Sequence, residues 1–112
     1  MRDKRNYLDF VPVKNPQLPW QEDGEAIVTV EVTHRGIAAK VAQVAFNRPK
    51  VSHIRMDVFG SFIWKEIDGE QNIYEIGQKV KGYFGKEAEP LYERLTTFFR
   101  ILAENKYITY KK

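Results

Sequence analysis

The chain contains no cysteine. That absence removes disulfide staples, thiolate zinc sites, iron–sulfur clusters and cysteine nucleophiles together, so any chemistry must come from other side chains. Long apolar runs are missing as well: none approaches the roughly 20 residues needed to span a bilayer. The opening Met1-Arg2-Asp3-Lys4-Arg5-Asn6 is followed by no signal-peptide core, so a cytoplasmic protein without a membrane segment is expected. Histidine is scarce. His34 and His53 are the only two, and neither has a carboxylate or another histidine at metal-ligand spacing on a predicted element. No metal and no cofactor are expected. A strong excess of one charge is also lacking: the formal net charge of +3 is far below the footprint of a dedicated nucleic-acid binder.

What is present suits one globular domain over residues 1–112. Apolar residues make up 43% and charged residues 29%, near the averages for folded proteins. Residues 1–25 are polar, carry Pro12, Pro16 and Pro19, and read as an extended arm with one edge strand, since proline survives in sheets only at edges. Asp23-Gly24 signals a turn. In Ala26–Thr33, Val28, Val30 and Val32 share one face and Thr29, Glu31 and Thr33 the other, the alternation of a half-buried strand. From Gly36 to Asn47 the spacing turns helical, with Ile37, Val41, Val44 and Ala45, and Asn47-Arg48-Pro49 supplies a stop. Lys50–Met56 returns to strand.

Three amphipathic helices follow. Asp57 is placed to cap Val58–Ile67, whose Phe59, Ile63 and Ile67 form a stripe. Asn72 and Glu75 have capping-box spacing ahead of Ile73, Ile76, Val80, Tyr83 and Phe84, and Gly85 closes that helix. Pro90 sits at the first turn of a third helix, where Leu91, Leu95, Phe98, Phe99 and Leu102 recur, reaching about Asn105. Tyr107–Tyr110 alternates as a last short strand or wing. The fold class is α+β.

Within Val51–Tyr110 the run Asp57-Val58-Phe59-Gly60-Ser61-Phe62-Ile63-Trp64, then Ile67-Asp68-Gly69-Glu70, then Ile73-Tyr74-Glu75-Ile76, resembles the PqqD family, named for coenzyme PQQ synthesis protein D. The resemblance implies a winged helix-turn-helix-like fold, with a small antiparallel sheet packed on three C-terminal helices. It implies a non-catalytic, chaperone-like adaptor that binds the leader of a ribosomally made precursor peptide and presents it to a modifying enzyme, a radical SAM enzyme in the name-giving case. Carried onto this chain, the leader would add as a strand beside Val51, Ser52, His53, Ile54, Arg55 and Met56 and lean on the third helix through Tyr92, Leu95, Phe99 and Arg100. A proline at Ile54 would then weaken leader binding in a folded domain. The sequence departs from the family pattern in its proline-bearing arm and in the helix over Ile37–Asn47 inserted between N-terminal strands. Either could extend the edge, cover it, or make a homodimer contact.

The residues themselves show no catalytic constellation. Asp68 and Glu70 flank a turn glycine without a nucleophile nearby, and Ser61 lacks the glycine frame of a nucleophile elbow. Most aromatics fall at core spacing, although Trp64 and Tyr92 lie beside the stripes of their helices, where either could line a groove. Arg94 and Arg100 fit a solvated face better than a ligand contact. A winged-helix DNA-binding protein is the alternative, but Glu89, Glu93 and Glu104 offset Arg94, Arg100 and Lys106 on the third helix.

Overall fold

The computed structural model describes residues 7–34 and 50–111. The helix expected over Ile37–Asn47 lies outside the described residues. Two compact units are present, Pro16–Val58 and a second formed by Met1–Asn15 with Phe59–Lys112.

In the first unit, β2 (Trp20–Glu22), β3 (Val28–His34) and β4 (Lys50–Arg55) form an antiparallel sheet in that spatial order. Alternation works as the sequence implies: Val28 and Val30 are buried while Thr29 and Glu31 are partly open. The β2–β3 hairpin closes through Asp23. Its carbonyl accepts from the Ala26 N–H at 3.0 Å, and its carboxylate accepts from the Glu25 and Ile27 N–H groups at 2.8 and 3.1 Å. This is a type I turn followed by one left-handed residue. That residue is Ala26, φ 67°, and not the glycine two positions earlier.

The second unit holds the helices α1 (Val58–Glu66, entered from the first unit at Val58), α2 (Ile73–Phe84) and α3 (Leu91–Glu104). The capping box forms as its spacing requires: Asn72 Oδ1 accepts from Glu75 N–H, and Glu75 Oε1 accepts from Asn72 N–H, both at 2.8 Å. Gly85, φ 62°, ends α2 by donating to the Lys81 carbonyl. The helix faces bury Ile63, Ile73, Ile76, Val80, Leu95 and Phe99 completely, each contributing about 1.5–3 kcal/mol by removal from water. Gly77 sets the α2–α3 approach, since a Cβ there would fall 2.6 Å from Leu95 Cδ1.

From Tyr7 onward the N-terminal arm holds more structure than the single edge strand expected of it. A 3-10 turn at Tyr7–Asp9 leads into β1 (Pro12–Lys14), which pairs antiparallel with β5 (Ile108–Tyr110). Lys111 N–H donates to Val11 O and Asn15 N–H to Tyr107 O, so Pro12 falls at an alternate position whose missing N–H would have pointed away from β5. Among the described residues there are therefore two small sheets where one was expected. The arm is tied further by the Ile73 N–H, which donates to Phe10 O at 2.9 Å. Tyr7 and Tyr110 share a short hydroxyl–hydroxyl bond beside Phe10. Burial and that bond push the Tyr110 phenol far above its ordinary range.

Candidate peptide-binding site

β4 stands at one side of the three-stranded sheet, and no described strand pairs with its outer edge. Two hydrogen bonds determine which of its backbone groups face outward. Met56 N–H donates to Val28 O at 2.8 Å, so Val28, Val30 and Val32 are the β3 residues that bond toward β4. Glu31 N–H donates to Pro19 O at 2.8 Å, so Thr29 and Glu31 bond toward β2. In an antiparallel ladder both groups of one residue point the same way and the direction alternates. Ser52 and Ile54, opposite Val32 and Val30, therefore bond inward to β3. Val51, His53 and Arg55 turn their N–H and C=O groups to the open edge.

This phase corrects one expectation drawn from the sequence. A proline at Ile54 would remove a β3–β4 ladder bond and damage the sheet itself, so it cannot isolate the outer edge; His53 is the position that does.

The side chains of the edge sort by row. Trp20, Val30 and Ile54 make one cross-strand row; Val30 is fully buried, whereas Ile54 is 36% exposed at the end of the row. On the opposite face lie Val51, 41% exposed, with His53 and Arg55. Arg55 Nη1 meets Asp23 Oδ2 at 3.0 Å, an exposed pair screened by solvent that contributes little to stability. Backbone N–H donors from Glu25 and Ile27, then the Arg55 guanidinium, hold the Asp23 carboxyl below the usual range. Pro19, Trp20, Gln21, Thr29, Glu31 and His53 line a shallow depression of about 110 Å³. Ser52 is half-buried and Met56 is buried.

The third-helix residues separate sharply. Leu95 and Phe99 are fully buried and offer no surface to a ligand. Tyr92, 43% exposed, has its hydroxyl 3.2 Å from Gln78 Nε2, and Arg100 is exposed, 3.9 Å from Glu104. Ile101, which sequence spacing did not single out, is 46% exposed on the same helix. β4 and α3 belong to different compact units. Trp64 is corrected outright: it is fully buried with the Lys14 ammonium 5.5 Å from its ring, so it lines no groove. Burial lowers the Lys14 pKa, and the Asp68 charge opposes part of that shift.

The remaining polar residues have local work. Asp68 Oδ1 accepts from the Gln71 and Glu70 N–H groups in an exposed turn, which lowers its pKa. Arg94 donates to Glu87 O at 2.7 Å with its guanidinium 3.8 Å from the Phe59 ring centre. Among the described residues there is no group of three side chains suited to hold a metal ion, and no helix is long and apolar enough to cross a membrane.

Comparison with known families decides the relationship. The model for coenzyme PQQ synthesis protein D matches residues 43–108, more than half of the chain. The chain belongs to the PqqD family. No curated protein and no solved structure is matched. The PqqD match takes in β4 and the three helices and ends at Ile108, the first residue of β5, while β1, β2 and β3 lie outside it.

Proposed function

We propose that this PqqD-family chain is a non-catalytic peptide-binding adaptor, which captures the leader of a ribosomally made precursor peptide as an added strand on β4 and presents it to a modifying enzyme of the radical SAM type. The observation that carries the reading is the outward phase of Val51, His53 and Arg55 on an edge that no described strand occupies. Three residues with unspent donors and acceptors match the repeat of any extended peptide, and main-chain bonding of this kind needs no catalytic group. A DNA-binding role is disfavoured on α3, where the exposed Glu93 and Glu104, the latter 3.9 Å from Arg100, offset the positive charge that phosphate would require.

The test is an isotope-labelled titration of the full chain with leader peptides encoded beside its gene. Saturable shifts centred on Val51–Met56 are expected. Absence of binding by every such leader would remove the adaptor function.

A further inference from the structure

Resting on the reading of β4 as a strand acceptor, we infer that the captured segment runs antiparallel to β4 and reads, from its N-terminal side, acidic residue, apolar residue, two residues of unrestricted charge and size, then a β-branched residue. Direction follows from the sheet, in which both existing pairings are antiparallel. Register follows from the phase of the edge. Residues of the segment opposite Arg55, His53 and Val51 exchange both backbone bonds with β4, so proline is excluded at the first, third and fifth positions.

The rows set the composition. Arg55 spends one guanidinium nitrogen on Asp23 and its side chain is 58% exposed. A guanidinium carries five donors, so a carboxylate directly across the new ladder can share it. The second residue falls beside Ile54, where an apolar side chain lengthens the Trp20–Val30–Ile54 row and covers its open end. The fifth stands across from exposed Val51, a position suited to valine, isoleucine or threonine. His53 and Ser52 impose no charge or size on the third and fourth residues.

Two measurements test this. Amide exchange of the free chain should find Ser52 and Ile54 slow and Val51, His53 and Arg55 fast; the opposite phase overturns the register. Random heptapeptides displayed and selected on the full chain should be enriched for Asp or Glu followed at once by an apolar residue. On Arg55→Glu, with its fold checked by circular dichroism, Lys or Arg should replace the acid at that position. Enriched peptides with no acidic bias, or a bias that Arg55→Glu leaves unchanged, overturn the inference and leave strand capture standing. Failure of both heptapeptides and encoded leaders to bind overturns strand capture, and the inference falls with it.

Discussion

Two adjacent prolines on β4 should have opposite consequences. Ile54→Pro deletes an N–H that bonds to the Val30 carbonyl and leaves that carbonyl without its donor in a buried part of the sheet. A lost ladder bond of about 1 kcal/mol and an unsatisfied buried acceptor of about 1–3 kcal/mol sum to roughly 2–4 kcal/mol of destabilisation, to which the ring's own clash adds. His53→Pro removes an N–H that points outward, so the ladder stays intact and the cost is about 1 kcal/mol, from forcing φ toward −65° in a strand. Urea denaturation of both variants measures the difference. Leader titration of the folded His53→Pro chain should show an affinity loss of about threefold to tenfold or more, the worth of one hydrogen bond plus a ring in the path of the incoming strand. Equal destabilisation by the two prolines, or the larger loss at His53, would refute the phase on which the site rests.

Asn72→Ala should lower stability by about 1 kcal/mol, because it removes the acceptor for Glu75 N–H in the capping box; thermal unfolding measures it. Lys106→Gly should raise stability by up to about 1 kcal/mol, since Lys106 holds φ 65° in a turn that glycine adopts without strain. The Asp23 carboxyl has a folded pKa below its unfolded value, so its contribution is present above the unfolded pKa and is lost as pH falls through the folded one. The Glu25 and Ile27 amide resonances should report that titration, at a pH below the ordinary carboxylate range. Removal of residues 1–15 should destabilise the helical unit and abolish the slow exchange of the Ile73 amide, which loses the Phe10 carbonyl.

Much of this fold was legible because its signals are local. The Asn72/Glu75 spacing, the 3.6-residue stripes of three helices and the two-residue alternation of Val28, Val30 and Val32 each describe a backbone that the same few residues enforce. The end of α3 shows where local signals stop. Tyr107 N–H bonds to Leu102 O and Lys106 N–H to Ala103 O, a Schellman turn with lysine in the position where glycine is usual, so composition carried no warning of its left-handed residue. At the candidate site the strand itself was readable from Val51, Ile54 and Met56. Its hydrogen-bond phase was not, because phase depends on which neighbour lies on which side, and pairing with β3 is a long-range fact. Leu95, Phe99 and Trp64 illustrate the same limit: spacing identifies an apolar stripe, while depth within it depends on what packs above.

The proline-bearing arm is better understood as part of the fold than as an appendage to the family core. The stretch that matches PqqD contains β4 and reaches the first residue of β5, yet neither strand has its partner within it; β4 pairs with β3 and β5 with β1, both supplied from before residue 43. A lone strand has no ladder to stand in, so the matched stretch contains neither sheet by itself. The two contributions differ in kind. β1 joins β5, where Tyr7 meets Tyr110 and Phe10 bonds to the first turn of α2, so it anchors the helical unit. β3 occupies one side of β4 and thereby decides which of its backbone groups remain outward, so under the proposed function the residues before the matched stretch set the register in which a peptide would be captured.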